Sequence, residues 1–167
     1  MRNEKGFTLV DLLVLLVIAG VVLTLALPNM AMARNRSKML DTLKNLHKVA
    51  TGVEAGRVEF MKGEFVAKVN QLNNIGSLSA SECPWLVPEF LGKCGLRTAW
   101  GNRFSFEADA LSGDVNIGAP GRTGVLEFSL TDEPLRYELR TPEDFNRGVV
   151  FRNGVMVIGP GFESGDS

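Results

Sequence analysis

One carboxylate, that of Asp11, lies inside a long run of apolar side chains near the start of the sequence. The run covers residues 7–27, and its other polar or small members are Thr8, Gly20 and Thr24. A carboxylate at the centre of a bilayer costs about 2.5–3.5 kcal/mol on insertion scales, and somewhat less near the membrane edge. If this run is a membrane helix, Asp11 is therefore expected to have a partner of opposite charge.

A cut between Gly6 and Phe7 would supply that partner. Phe7 would become a new N-terminus with a free amine, and Asp11 would become the fifth residue, about one helical turn away. In a bundle of identical helices, the amine of one chain can face the Asp11 carboxylate of its neighbour. Each charge then neutralises the other in a low-dielectric setting, which makes the register between the chains specific.

The two cysteines, Cys83 and Cys94, have ten residues between them and form no C-x-x-C motif. With His47 as the single histidine, a Cys/His metal site is not expected, and neither is a cofactor. In an exported protein a disulfide is the natural interpretation, and so short a loop stabilises by about 2–3 kcal/mol. The alternative is two reduced thiols, one in the core and one at the surface.

No catalytic grouping is evident, so an enzyme is not expected. His47 lies between Lys44 and Lys48, where a helix-surface or packing role is favoured over that of a general base. The sequence contains no phosphate-binding loop, H-E-x-x-H or G-x-S-x-G motif. A membrane-tethered enzyme therefore has no support from any motif.

The charges are balanced, with 18 basic and 19 acidic residues, and this gives no general attraction to nucleic acid. A local basic cluster directly follows the apolar run. Contact of this cluster with anionic lipid headgroups is favoured over contact with DNA, because it adjoins the run. Its members are Arg34, Arg36 and Lys38.

Hydropathy divides the chain into four segments. Residues 1–6 are a short basic leader, and residues 7–28 form an apolar helix about 30 Å long, which matches a bilayer core. Residues 29–60 predict an amphipathic helical stem, and residues 61–167 a globular domain. The apolar stripe of the stem recurs at gaps of three and four, at Met32, Met39, Leu43, Leu46, Ala50, Val53 and Phe60.

Two other interpretations of the N-terminus remain open. A secretory signal would use the A-x-A-like site Ala31–Ala33 and release a soluble binding domain that starts at Arg34. An unprocessed signal anchor is the second alternative. Asp11 counts against both, since neither gains anything from a buried carboxylate.

The run Gly6-Phe7-Thr8-Leu9-Val10-Asp11-Leu12-Leu13 resembles the prepilin signature of type IV pilins and type II secretion pseudopilins. The resemblance covers residues 1–36. It implies cleavage after Gly6 by a prepilin peptidase and N-methylation of Phe7. It also implies assembly through Thr8 and Asp11. The family normally carries Glu where this chain has Asp11, which is one methylene shorter and suits a minor or specialised subunit as well as a major one.

The same resemblance implies a location and partners. The chain would be stored as a single-pass protein of the bacterial inner membrane, with its C-terminal domain in the periplasm. An inner-membrane assembly platform would then extract it into a filament of pilin-like subunits. The filament could belong to a pilus, a secretion pseudopilus or a DNA-uptake system. The charges flanking the apolar run favour the opposite topology, because five basic residues follow it within about twenty positions.

Two further matches concern single residues and a short motif. Gly20 and Pro28 occupy positions that bound the stretch losing helical order in some assembled pili. Pro28 also lacks an N–H, which predicts a helix break or kink.

Residues 100–104 (W-G-N-R-F) resemble the W-G-N-P-[YF] element of major pseudopilins, with Arg103 in place of proline. Those proteins carry a calcium site. The acidic residues available here are Asp109, Asp114, Glu163 and Asp166. Their spacing matches no calcium-binding pattern, so no ion is predicted.

The predicted fold class is α+β and pilin-like. A long N-terminal helix would pack on an antiparallel sheet of four or five strands. Strand patterns occur in Arg103–Ala108, Gly124–Thr131, Leu135–Arg140 and Gly148–Ile158. The last of these contains Asn153-Gly154, a strong two-residue hairpin signal.

Overall fold

The computed structural model describes residues 9–75, 83–86 and 96–161. Two α-helices come first, α1 (Leu9–Arg57) and α2 (Lys62–Gln71). Five strands and a 3-10 turn follow in the order β1 (Ser105–Ala108), β2 (Val115–Ala119), β3 (Leu135–Tyr137), the turn Pro142–Asn146, β4 (Val149–Arg152) and β5 (Val155–Pro160). The chain divides into two units, Met1–Arg34 and Asn35–Ser167.

The first unit contains the apolar part of α1. Its most apolar 18-residue window has a mean hydropathy of 2.8, and none of that window is buried. By length and composition, α1 is the one helix among the described residues that could cross a membrane. The helix satisfies its own backbone hydrogen bonds, which is the condition for lying in lipid.

In the second unit, α1 buries the apolar face that the sequence predicts. Met39, Leu46, Ala50 and Val53 are at most 1% exposed. These side chains recur at gaps of seven, four and three, which places them on one side of a helix. The helix ends at Arg57, just after Gly56, three residues before the predicted end of the stem. Burial of this face fixes the stem against the rest of the unit.

The sheet has five strands in the order β1-β2-β4-β5-β3. The prediction of an antiparallel sheet is wrong for one pair, because β3 lies parallel to β5, with Leu135 opposite Ile158. The connections explain this result. After β3 the chain passes through the 3-10 turn and enters the sheet at β4, beside β2. The tight β4–β5 hairpin then reverses direction and sets β5 alongside β3 with the same orientation.

The hairpin signal is confirmed, and one strand prediction is wrong. Asn153 and Gly154 have φ angles of 49° and 79°, as a type I′ turn requires, and they join β4 to β5.

Residues 124–131, in contrast, form turns and not a strand. Gly124 starts them with φ +81°. Leu126, Phe128 and Leu130 then pack on Tyr137, Val150 and Ile158 of the sheet. We call residues 121–134 the covering loop.

Helix α2, which the sequence pattern did not reveal, protects one edge of the sheet. The side-chain amide of Asn73 donates to the carbonyl of Phe106 and accepts from its N–H, at 2.6 and 2.8 Å. Asn70 Oδ1 accepts from the N–H of Ala108 at 3.1 Å. These amides satisfy backbone groups of β1 that would otherwise be open to another strand.

Candidate assembly site

The helix surface around Asp11 is apolar on every side. Between Leu9 and Leu27 the described Leu, Val and Ile side chains are 49–79% exposed. Soluble monomers rarely expose contiguous apolar patches larger than a few hundred Å². A segment of this kind needs lipid, or other apolar helices, around its whole circumference.

The Asp11 side chain is exposed among these apolar neighbours. The predicted processing and assembly residues Gly6, Phe7 and Thr8 lie outside the described residues. Their geometry relative to Asp11 therefore stays a prediction.

Helix α1 is continuous through Gly20 and Pro28 in the single chain. A Cβ added at Gly20 would meet nothing within 4 Å, so no neighbour in the described chain requires a glycine there. Close approach of another helix is one condition that would require it. The loss of helical order between Gly20 and Pro28 was predicted for an assembled filament, and it stays a prediction.

The cysteine and histidine predictions concern the second unit. Cys83 is buried at 1% exposure, and Cys94 lies outside the described residues, so the disulfide between them stays a prediction. His47 is exposed, with its ring centroid 6.0 Å from that of Phe151. This is a packing contact of the kind that the sequence favours for His47.

The acidic residues form no metal site within the described ranges, where no three His, Cys, Asp or Glu side chains are grouped. Asp109 and Asp114 flank one turn, while Glu163 and Asp166 lie outside the description. The N–H of Leu111 and the hydroxyl and N–H of Ser112 lower the pKa of Asp109. Hydrogen bonds from the Asn153 amide and from Ser112 lower the pKa of Asp114. Both carboxylates are thus engaged in ordering this turn.

The W-G-N-R-F element is a loop that leads into β1. Gly101 has φ +90°, which favours glycine, and Trp100 is half-buried. The Asn102 side-chain amide donates to the carbonyl of Gly121 at 2.7 Å and so ties this loop to the covering loop. The guanidinium of Arg103, in the position of the family's proline, donates to the carbonyls of Asn73 and Ile75 and holds the end of α2.

Within the basic cluster, Arg36 has a contact of its own in the second unit. Its guanidinium donates to the carbonyl of Leu139 at 3.2 Å. This bond joins the stem to the segment after β3. Arg36 is thus partly engaged by the protein and is not only available to lipid headgroups.

Sequence reasoning missed the role of Arg57. The Arg57 guanidinium donates to the carbonyl of Gly113 and lies 3.2 Å from Glu54 and 3.9 Å from Asp114. It also reaches Oδ1 of Asn153 at 3.5 Å. A long basic side chain in the last turn of a helix often donates to nearby carbonyls, but its position in the sequence does not identify the partners.

No protein-family model, curated protein or solved structure matches this chain.

Proposed function

We propose that this chain is a structural subunit of a type IV pilus-like filament or a type II secretion pseudopilus. In this proposal a prepilin peptidase cuts after Gly6, Phe7 is N-methylated, and an assembly platform in the bacterial inner membrane builds the filament. The globular domain faces the periplasm. The subunit works mechanically and catalyses no reaction.

One observation supports this proposal above the others. Between Leu9 and Leu27, helix α1 presents apolar side chains on every face, and Asp11 is the one acidic or basic residue between Leu9 and Met32. Lipid alone would satisfy the apolar side chains and leave the carboxylate costly. A bundle of identical helices satisfies both, because the Phe7 amine of one copy can neutralise Asp11 of the next.

The architecture of the second unit is compatible with this role. It is an α+β fold in which an amphipathic helix packs on a small mixed sheet. Fold alone does not specify function, so the proposal depends on the N-terminal segment. The neighbours in the filament would be further copies of this chain or other pilin-like subunits.

The N-terminus of the mature protein tests the proposal. Mass spectrometry of the chain purified from membranes should find a first residue of Phe7 with one N-methyl group. A control with Gly6 replaced by Leu should keep the leader, because the residue before the cut is changed. A mature chain that begins at Arg34 would contradict the filament and establish the alternative, a secreted binding domain.

Topology needs a separate test, because the basic residues after the apolar run favour the reverse orientation. A reporter enzyme that is active only in the periplasm should be fused after residue 60. We expect activity in the full-length fusion. An inactive reporter, together with an accessible cytoplasmic tag at the same site, would contradict the proposed orientation.

A further inference from the structure

The sheet face opposite α1 carries a polar cavity. Phe151 faces α1, since its ring centroid lies 6.0 Å from that of His47. The next residue along β4, Arg152, therefore faces the other way. On that side a cavity of about 440 Å³ lies between the turn 109–114 and the covering loop. Its volume is in the range of sites that bind small molecules.

Three side chains form a row across this cavity. Glu107 of β1 is paired with Asn116 of β2, and Asn116 is paired with Arg152 of β4. All three line the cavity. Side chains opposite each other on adjacent strands have Cβ atoms about 5 Å apart, so the row extends over about 10 Å. It presents a carboxylate, an amide and a guanidinium in that order.

The amide in the middle of the row is buried, but its donor group is unused. Asn116 is 4% exposed, and its Oδ1 accepts from Nε of Arg152 at 3.0 Å. No described residue accepts a hydrogen bond from its Nδ2, and this nitrogen is not sealed from the cavity by protein. A buried donor without a partner is costly, so a ligand that supplies an acceptor here would be favoured.

The two ends of the row carry opposite charges that are not paired within the described part of the chain. Neither Glu107 nor Arg152 forms an ion pair with another described residue. The Arg152 guanidinium donates from Nη2 to the carbonyls of Leu130 and Asp132, at 3.4 and 3.1 Å. These bonds fix the position of the guanidinium without neutralising its charge.

The two other carboxylates at the cavity are already engaged. Asp109 accepts from the N–H of Leu111 and from the N–H and hydroxyl of Ser112, at 2.8–3.2 Å. Asp114 lies 3.9 Å from the guanidinium of Arg57. The groups that a ligand can still pair with are therefore the carboxylate and the guanidinium at the two ends of the row, and the amide between them.

We propose that this cavity binds a free α-amino acid in its zwitterionic form. The ligand carboxylate would accept from Asn116 Nδ2 and from the guanidinium of Arg152, and the ligand ammonium would donate to Glu107. A single carbon joins the two ligand groups, which suits neighbouring positions of the row. A simple anion would leave Glu107 unpaired, and a simple cation would be repelled by Arg152.

An extended peptide is a less suitable occupant of the cavity. Peptides that bind to sheets commonly add a strand at an open edge, where their main chain continues the ladder. The row lies on the face of the sheet, and the nearby edge at β1 is already bonded by Asn70 and Asn73 of α2. The inference goes beyond the proposed function and does not depend on cleavage or assembly.

Titration of the full chain in a maltoside detergent tests the proposal. Calorimetry measures the affinity, and the NMR signals of the Asn116 side-chain amide locate the ligand. L-Alanine and L-serine should bind saturably and shift these signals. Acetate supplies the carboxylate alone and methylammonium the ammonium alone. Each should bind at least about tenfold more weakly, because each lacks one hydrogen bond with a charged group.

Two variants test the ends and the middle of the row. Glu107→Gln removes the charge that faces the ligand ammonium, and it should weaken L-alanine binding about tenfold. Glu133→Gln is the matched control, since Glu133 is an exposed acid of the covering loop outside the cavity lining, and it should leave binding unchanged. Asn116→Asp keeps the acceptor for Arg152 but loses the donor, and it should abolish binding.

Thermal unfolding shows whether Asn116→Asp is folded; if it is not, Glu107→Gln, on an exposed residue, still decides the question. Three results would overturn the inference. The first is that neither amino acid shifts the Asn116 signals, and the second is that Glu107→Gln binds L-alanine as tightly as the wild type. The third is that acetate, methylammonium or calcium chloride binds at this site as tightly as L-alanine, which would make it a site for a simple ion.

Discussion

Thr42 and Ala99, 57 positions apart in the sequence, are joined by a hydrogen bond in which the N–H of Ala99 donates to Oγ1 of Thr42 at 3.0 Å. The same hydroxyl donates to the carbonyl of Lys38 at 2.9 Å. Thr42 is 1% exposed, so both bonds are protected from water. The pair fixes the loop that carries Trp100 to the stem of α1.

Replacing Thr42 by valine should therefore destabilise the second unit. Valine keeps the shape but leaves the N–H of Ala99 without its acceptor, at a cost of about 1–3 kcal/mol. The measurement is the denaturation midpoint of the full chain in detergent. Thr51→Val is the matched control, because Thr51 is exposed and its hydroxyl donates only to the carbonyl of His47. Equal effects of the two substitutions would contradict this role for Thr42.

Gly148 should not tolerate alanine. A Cβ at this position would lie 2.8 Å from the carbonyl oxygen of Ala119 and still closer to a methyl group of Leu126. Overpacking of this kind costs about 1–3 kcal/mol. The covering loop should respond first, as faster hydrogen exchange of residues 124–131 in the full chain.

Gly63→Ala is the control for Gly148→Ala. It adds the same methyl group inside α2, where a Cβ meets nothing within 4 Å. Alanine is the better helix former by about 0.5–1 kcal/mol, so this variant should be more stable than the wild type. A loss of stability in Gly63→Ala, or no loss in Gly148→Ala, would contradict close packing of the covering loop against Gly148.

The parts of the fold that the sequence predicted are those with a local cause. The stem shows helical periodicity, and the Asn153-Gly154 turn requires positive φ angles that few residue pairs provide. Phe104 and Phe106, which alternate with polar residues, are both 4% exposed. Each of these features depends on residues that lie close together in the sequence.

The errors come from contacts that are distant in sequence. Residues 124–131 have a strand-like composition. In the structure, however, Leu126 packs against Gly118 and Gly148. The sequence around those two glycines does not indicate that the covering loop packs on them. The parallel orientation of β3 depends on the order in which β4 and β5 enter the sheet. At the candidate site, Asp11 and the apolar run were evident from composition. The role of Arg57 in joining chain segments was not evident from composition, since its partners come from three different segments.

Asp144 should make stability depend on pH in the acid range. The N–H and hydroxyl of Thr141 and the N–H of Arg140 donate to its carboxylate, and they hold its pKa below the ordinary value of 3.8. A group whose pKa is lower in the folded state stabilises that state above its ordinary pKa and loses this effect as the pH falls through the folded value. The stabilisation from Asp144 should thus be complete at neutral pH and disappear below pH 3.8.

Thermal unfolding of Asp144→Asn, measured from neutral pH downwards, checks this expectation. The variant should be less stable than the wild type at neutral pH, and the difference should narrow below pH 3.8. Glu143→Gln removes a charge from the same turn without touching Thr141 and serves as the control. A difference between Asp144→Asn and the wild type that is the same at every pH would rule out the carboxylate as its cause.

The cysteines should form a disulfide in the exported protein. Denatured, unreduced full chain should react with no maleimide, and reduced chain should react with two. Reduction should lower the stability by about 2–3 kcal/mol, because the bridge closes a short loop. Cys94→Ser should expose one thiol, that of Cys83, once the chain is denatured. Two reactive thiols in the unreduced wild type would show that the bridge is absent.

Asp11 should matter for assembly and not for membrane insertion. Asp11→Ala removes a charge from an apolar helix, so insertion should be at least as favourable as in the wild type. Incorporation into filaments should fall sharply, because the Phe7 amine of a neighbour is left unpaired in a low-dielectric environment. Two variants serve as controls. Asp11→Glu keeps the charge with one more methylene and should retain incorporation, and Asp41→Ala removes an exposed acid on the stem.

Membrane insertion is measured by carbonate extraction of membranes, and assembly by the amount of chain in sheared filaments. An unchanged filament fraction for Asp11→Ala would eliminate the amine–carboxylate pairing.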